Sequence, residues 1–389
     1  MNFAEDEDDE ARQLHHPMGY DEHHPTLMSN WMPNSTDEGL PRKPGKFAWS
    51  NPELLQRQID HRQRGGGRQS LPLVSWFLAL GMTGAFIAEL IIAKQTTGQA
   101  IQTHPQIQPM LGPSAEFLIS FGARFVPCMR SMPGLPATNR LPCLEYTTSS
   151  QTTFTPNQLC PLAEICGLAD ASNPNQSYRF VSAIFVHSGI VHILFNLLVL
   201  LTLCCQIEKL IGSVAYTVVF VAGGIGGNLL GGNFGLIGQP ALGASGSIYT
   251  CISLEIVDLI YNSKYENRAR TRIVTSTIFS IIGLGLGLLP GIDNFSHIGG
   301  FCIGILGGLF FAPSIHATRS HMIGTWVLRL IGLGLLVAYF VALGLNFYRS
   351  EDPRQACTWC RYLSCLPVFQ SCKGIGISTT DSDGQTATN

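Results

Sequence analysis

Residues 243–260, GASGSIYTCISLEIVDLI, place a serine at the start of an apolar helical segment. Gly243 and Gly246 surround Ser245 with small residues that let another backbone come close. The first N–H groups of a helix lack intrahelical acceptors, and the helix dipole favours negative charge there. This environment suits an acyl-transfer nucleophile, provided that a general base activates the hydroxyl. We therefore ask whether the chain supplies a base near Ser245.

The composition is that of a polytopic membrane protein. Of 389 residues, 46% are hydrophobic and 13% are charged, and the mean hydropathy is +0.20. The 41 glycines fit helices that approach one another closely in a bilayer. The formal net charge of -2 gives no indication of a nucleic-acid partner.

Seven apolar segments predict an all-α bundle that spans the lipid bilayer. They cover residues 71–93, 181–205, 214–230, 241–260, 273–289, 297–311 and 326–347. Arginines precede the first segment, and Lys or Arg residues fill the loops after the fourth and sixth, which predicts a cytosolic N-terminus. The long first loop, residues 95–180, is then extracytosolic and should carry its own structure.

The positions of the cysteines along the chain agree with this topology. Four lie in the first loop and four follow the seventh segment, so both groups are predicted to be extracytosolic: Cys128, Cys143, Cys160, Cys166, Cys357, Cys360, Cys365 and Cys372. Disulfides form on that side of the membrane. Their pairing is left open, and an intracellular tail with this spacing would instead suggest zinc.

Three regions are expected. Residues 1–70 form a disordered acidic cytosolic tail with a basic end, residues 71–347 the helical domain, and residues 348–389 a cysteine-rich extracytosolic tail. The first region has no apolar core and is neither a signal peptide nor a mitochondrial presequence. The sequon at Asn175 lies in the first loop and should be glycosylated, whereas the one at Asn34 should be cytosolic and unmodified.

The candidate base is His297, at the start of the sixth segment. Topology places it and Ser245 at the extracytosolic ends of their helices. Gly300, Gly304 and Gly308 recur every four residues, line one helix face and allow a close helix contact. Taken alone, these glycines indicate only packing.

Two more histidines, His187 and His192, lie in the second segment, where ionisable groups are costly and usually functional. His192 and Asn196 are four residues apart and share a helix face, so both can donate to one oxyanion. The alternative is ordinary interhelical hydrogen bonding, worth about 1 kcal/mol. Tyr249 follows Ser245 by one turn and can pack on the imidazole of His297. No acid is placed to orient His297, which favours a Ser–His dyad over a triad.

These residues together resemble the rhomboid intramembrane serine proteases, of the eukaryotic secretase type with six core helices plus a C-terminal seventh. The matching stretches are 243–246 with Tyr249, 297–300 followed by Gly304, 192–196 with His187, and 109–114. The family's first-loop Trp-Arg pair reads Tyr178-Arg179 here. The resemblance covers about residues 71–347.

The resemblance implies a role for each residue. Ser245 is the nucleophile, and His297 is the general base that later protonates the leaving amine. His192, Asn196 and the Ser245 N–H form the oxyanion hole, Tyr249 stacks on the base, and Gly243, Gly246, His187 and Gly300 support them. Inactive relatives lack the serine or the histidine, and this chain keeps both.

The expected function is therefore an intramembrane serine endopeptidase that cuts in or near single-pass transmembrane segments of membrane proteins, without metal or cofactor. The alternative is a non-catalytic relative that binds client transmembrane helices and steers their trafficking. The Golgi or plasma membrane is the expected location, not the mitochondrion. Substrate identity and oligomeric state are left open.

Overall fold

The computed structural model describes residues 51–150, 153–288, 292–366 and 368, and the backbone of 379–380 and 386–387. Helix α1 (Pro52–Gln63) begins with Asn51, whose side chain accepts from the backbone N–H groups of Glu53 and Leu54. The expected disorder of residues 1–70 is therefore wrong for α1, and residues 1–50 lie outside the described part. Helix α2 (Leu73–Thr97) is the first long apolar helix.

The first loop is folded, as its length predicted. It contains four short helices and an antiparallel strand pair: α3 (Ala115–Phe121), α4 (Val126–Met129), β1 (Arg140–Pro142), β2 (Leu159–Pro161), α5 (Leu162–Cys166) and α6 (Arg179–Ser182). Disulfides join Cys128 to Cys166 and Cys143 to Cys160. The expectation of disulfides in this loop is confirmed, and their pairing, which the sequence left open, is now defined.

Arg179 is the polar centre of the loop. Its fully buried guanidinium donates to the carbonyl oxygens of Ile119 (2.6 Å), Ala123 (2.8 Å) and Cys166 (3.1 Å). A buried cation this well satisfied fixes the loop segments that surround it. Tyr178 beside it is 58% exposed, so the arginine anchors the loop without a buried aromatic partner.

The remaining helices follow in chain order. Helix α7 (Ile190–Val199) continues through a π-helical turn into α8 (Cys205–Ile211), and then come α9 (Ser213–Phe234), α10 (Ser245–Tyr261), α11 (Ala269–Leu286), α12 (Asn294–Phe311) and α13 (Arg319–Arg349). The second predicted segment was wrong at its start, because it begins at Ile190 and not at Val181. Short 3₁₀ turns follow α13, and two-residue strands β3 (Thr379–Thr380) and β4 (Thr386–Ala387) pair antiparallel.

Among the described residues, five helical spans are long and apolar enough to cross a membrane: α2, α7 through α8, α9, α12 and α13. Helix α10 has 17 residues, and α11 begins with two arginines, at positions 270 and 272. The fold is thus an all-α, polytopic membrane bundle, as predicted.

Helices α9, α10 and α12 form the centre of the bundle and pack through glycines. A Cβ at Gly227 of α9 would lie 2.5 Å from the Ser296 carbonyl oxygen, and one at Gly223 would overlap Thr250. On α12, a Cβ at Gly304 would overlap Ser253. Backbones can approach this closely only where side chains are absent.

Buried helix ends are satisfied by distant parts of the chain, because a bilayer supplies no water to do so. The Glu208 carboxylate accepts from the backbone N–H groups of Val74 (2.9 Å) and Ser75 (2.7 Å), and so caps α2. At the start of α7, Ile190 and Val191 donate to carbonyl oxygens of the first loop (3.1 and 3.2 Å).

At the bundle end opposite the first loop, Arg62 ties α1 to α10. Its guanidinium forms ion pairs with Asp258 (2.5 Å) and Glu266 (2.8 Å), and the side chains of Arg62 and Asp258 are 11% and 4% exposed. Removing one partner from a buried ion pair leaves the other charge without compensation. Helix α1, which precedes the first span, is therefore part of the folded bundle.

We predict that Arg62→Met lowers the free energy of unfolding by about 3–5 kcal/mol, because Asp258 is then buried without its partner. Thermal unfolding in detergent measures the change. The matched control is Arg57→Met on the same helix, since Arg57 pairs with Glu53 while both side chains are mostly exposed and such pairs contribute under about 1 kcal/mol. Equal stability of the two variants would contradict the prediction.

Candidate active site

Ser245 is the first residue of α10 and is half-buried. Two residues earlier, Gly243 has φ +108°, a conformation that L side chains rarely adopt. Its N–H donates to the Ala183 carbonyl oxygen (2.7 Å), which fixes the turn into the helix. Ser245 therefore sits at a rigid helix start whose first N–H groups have no intrahelical acceptor.

His297 lies one turn into α12 and is 9% exposed. The Tyr249 ring stacks on its imidazole, with centroids 4.5 Å apart and planes 15° from parallel. Tyr249 in turn donates to the Ser280 carbonyl oxygen of α11 (3.3 Å). The predicted packing of Tyr249 on His297 is confirmed, and it limits how the imidazole can rotate.

The contact that brings α12 to α10 lies at Gly246, directly after Ser245, and at Gly300, one turn after His297. A Cβ on Gly300 would overlap the Gly246 carbonyl oxygen, so the two backbones touch there. Thr250 fastens the same point, because its hydroxyl lies within hydrogen-bond distance of the carbonyl oxygens of Gly246 (3.0 Å) and Gly300 (2.8 Å). Ser245 and His297 are consequently carried on the same end of one tightly packed helix pair.

No carboxylate orients His297 among the described residues. Its Nδ1 is buried without a hydrogen-bond partner there. The nearby Asp293 instead caps α12 by accepting from Phe295 N–H (3.2 Å), accepts from the Ser296 hydroxyl (2.7 Å) and pairs with Arg124 of the first loop (3.2 Å). No hydrogen bond joins Ser245 to His297 within the described chain, as is common before a substrate binds.

His192 and Asn196 converge on the turn before Ser245. A Cβ built on Gly243 would lie 2.7 Å from His192 Nε2 and 3.5 Å from Asn196 Nδ2. Asn196 is buried, and its Nδ2 has no partner among the described residues. Two donors therefore face the backbone beside Ser245, and Gly243 leaves the space that they require.

Ser188 sets the tautomer of His192, which the sequence analysis missed. The Ser188 backbone N–H (3.4 Å) and hydroxyl (2.8 Å) are both within hydrogen-bond distance of His192 Nδ1. Because Nδ1 accepts from this N–H, neutral His192 carries its proton on Nε2 and can donate it toward Gly243. A serine four residues before a histidine was the available signal.

His187 supports His192 from outside the helix, and its predicted place within the second segment was wrong. It precedes α7, because the chain turns at Gly189 before that helix begins. The two imidazoles meet edge to face, with centroids 5.4 Å apart. The backbone N–H of His187 donates to the buried Glu89 carboxylate (3.2 Å), which ties the pair to α2. Thr250 and Arg124 were also missed, since their roles depend on contacts between distant segments.

The described residues contain no group of three His, Cys, Asp or Glu side chains that could hold a metal ion.

Comparisons with known proteins agree with this fold. The Rhomboid domain family matches residues 174–314. Rhomboid-type serine protease 2 of Emericella nidulans is 33% identical over 83% of this chain and 76% of its own length. RHOMBOID-like protein 4 of Arabidopsis thaliana is 32% identical over 50% of this chain and 52% of its length. Inactive rhomboid protein 1 of Danio rerio is 31% identical over 54% of this chain and 24% of its length.

The chain is an integral membrane protein of the rhomboid family. Relatives that are 30–33% identical to this chain include one named as a serine protease and others named as inactive. The family alone therefore leaves open whether this chain cuts peptide bonds.

We predict that Gly300→Ala lowers the free energy of unfolding by about 3 kcal/mol or more, because the new methyl group meets a backbone oxygen that cannot move aside. Gly307→Ala on the same helix is the matched control, since its Cβ would lie 3.5 Å from Val219, an ordinary contact. Thermal unfolding of both variants gives the comparison. A Gly300→Ala protein as stable as the control would show that the backbones are not in contact.

Proposed function

We propose that the chain is an intramembrane serine endopeptidase that uses a Ser245–His297 dyad. Three groups with complementary roles meet at the start of α10, and their arrangement supports the proposal. Ser245 begins α10, a stacked histidine lies on the helix packed against it, and two side-chain donors, His192 and the buried Asn196, approach the adjacent turn. An acyl-transfer site requires these three parts.

The proposed reaction follows from the positions of these groups. His297 accepts the Ser245 hydroxyl proton as Oγ attacks the scissile carbonyl carbon. The oxyanion that forms accepts hydrogen bonds from His192 Nε2–H, Asn196 Nδ2–H and the Ser245 N–H. His297 then gives its proton to the leaving amine, and water hydrolyses the acyl-enzyme with His297 again as the base.

The substrates would be single-pass transmembrane proteins, presented from the lipid bilayer. A peptide bond within a helix is shielded by its own hydrogen bonds, so a substrate helix must unwind locally before Ser245 can attack. Residues that weaken helices should therefore favour cleavage near them. The relative named as a rhomboid-type serine protease supports this reading.

A second candidate is a non-catalytic protein that binds transmembrane helices of client proteins and steers their trafficking. The relatives named as inactive rhomboid proteins favour it. Pure helix binding would not, however, require an unpartnered buried amide at Asn196 or a glycine that clears space for His192. Buried donors without partners are costly in a site with no reaction to stabilise.

We predict that a fluorophosphonate probe labels the detergent-solubilised protein and that Ser245→Ala and His297→Ala abolish the labelling. The first variant removes the nucleophile and the second its base. Asn196→Ala should slow labelling about 100-fold, because one oxyanion donor is lost. In-gel fluorescence against time measures all four proteins.

The matched control is Ser247→Ala. Ser247 lies two residues further along α10, fully buried and without a hydrogen-bond partner among the described residues, so its variant should label like the wild type. Labelling that persists in Ser245→Ala would place the nucleophile elsewhere. A folded wild type that never labels would favour the helix-binding alternative.

We also propose that the N-terminus is cytosolic and the first loop is extracytosolic, in the Golgi or plasma membrane. The arginines before α2 favour a cytosolic start. Disulfides in the first loop favour an oxidising compartment on the other side. In the same loop, Asn175 is exposed within its sequon.

This orientation predicts that Asn175 carries an N-glycan when the protein is made in a cell with a secretory pathway. Treatment with an N-glycosidase should increase gel mobility, and Asn175→Gln should remove that effect. Asn34→Gln is the control, because that sequon lies before the first span. Glycosylation at Asn34 instead of Asn175 would reverse the proposed orientation.

A further inference from the structure

The chain after α13 crosses the end of the bundle that carries Ser245. We call residues 350–366 the tail segment. Arg130 of the first loop donates to the carbonyl oxygens of Ser350 (2.6 Å) and Glu351 (3.0 Å), which holds its beginning. A disulfide between Cys357 and Cys360 joins its two 3₁₀ turns and limits its freedom.

The other end of the tail segment is bound to the first residue of α12. The Asn294 side chain donates from Nδ2 to the Leu363 carbonyl oxygen (2.6 Å), and its backbone N–H donates to Ser364 Oγ (3.1 Å). Asn294 is 3% exposed. His297 follows one turn later, on the same side of the helix.

These bonds complete the cap of the helix that carries the proposed base. The first N–H groups of α12 need acceptors from outside the helix. The N–H groups of Phe295 and Ser296 use Asp293 (3.2 Å each), which belongs to the adjoining turn. The N–H of Asn294 uses Ser364, so one part of the cap comes from the tail segment.

The same segment also contacts the connection that leads to Ser245. Cys365 is buried against Leu236, which lies between α9 and α10. A small cavity between them is lined by Arg124, Asp293 and Ser364, among others. The tail segment therefore touches both the start of α12 and the chain that enters α10.

We propose that the tail segment is a brace for the catalytic site, with Ser364 and Asn294 as positioning residues for His297. The inference rests on the proposed function, because it concerns the distance between Ser245 and His297. The two residues lie on different helices, so that distance depends on what holds each helix start. A shift of about 1 Å between reacting groups can lower a rate about 100-fold.

The first test is the rate of fluorophosphonate labelling at saturating and limiting probe. Ser364→Ala should lower the maximal rate about threefold to tenfold, as one lost hydrogen bond implies, with an unchanged half-saturating concentration. Ser364→Thr, which keeps the hydroxyl, should restore the rate. Ser350→Ala is the matched control, because that hydroxyl binds Asn346 of α13 and should not affect labelling. Equal rates in Ser364→Ala and Ser350→Ala would overturn the proposal.

The second test does not depend on catalysis. Hydrogen–deuterium exchange should be faster over residues 294–300 in Ser364→Ala than in Ser350→Ala. Unchanged exchange would overturn the brace whatever the labelling shows. If the wild type never labels, the proposed protease function fails, while the exchange comparison still decides whether the tail segment holds α12.

Discussion

A direct backbone contact between Gly246 and Gly300 holds α10 against α12. Their backbones touch, and Thr250 lies against the carbonyl oxygens of both residues. In lipid, association of two helices relies on packing and hydrogen bonds, because there is no hydrophobic gain from leaving the bilayer. At this crossing the two glycines provide the packing and Thr250 the hydrogen bonds. The contact also holds Ser245, directly before Gly246, and His297, one turn before Gly300, on neighbouring helices.

The N-terminal ends of the helices differ in how their hydrogen-bonding groups are used. The first N–H groups of α2, α7 and α12 donate to acceptors on distant segments. These acceptors are Glu208, carbonyl oxygens of the first loop and Ser364. At α10 the turn is fixed by Gly243, while the donors of His192 and Asn196 gather beside it. A polar site of this kind is costly in a membrane unless it is used. The proposed oxyanion hole is the use that fits.

Much of the fold follows from the sequence because bilayer helices are long and apolar. All seven predicted segments contain a helix, and the four-residue glycine spacing correctly predicted the face of α12 that meets α10. The spacing of Tyr249 from Ser245 likewise predicted its place on His297.

What the sequence did not reveal depends on long-range partners. Helix α1 looks like solvated chain until Arg62 meets Asp258, 196 positions away. His187 was placed on a helix because an apolar run continues through it, yet Gly189 breaks the run. Nothing near Ser364 in the sequence indicates that it caps α12. Local periodicity predicts helices, whereas caps and ion pairs between distant segments require the folded chain.

An experimental structure of the protein after reaction with a fluorophosphonate would test the Ser245–His297 site directly. We expect phosphorus bonded to Ser245 Oγ, with the phosphonyl oxygen about 3 Å from His192 Nε2, Asn196 Nδ2 and the Ser245 N–H. His297 should lie against the leaving-group side. A phosphonyl group on another residue, or an oxygen turned away from all three donors, would contradict it.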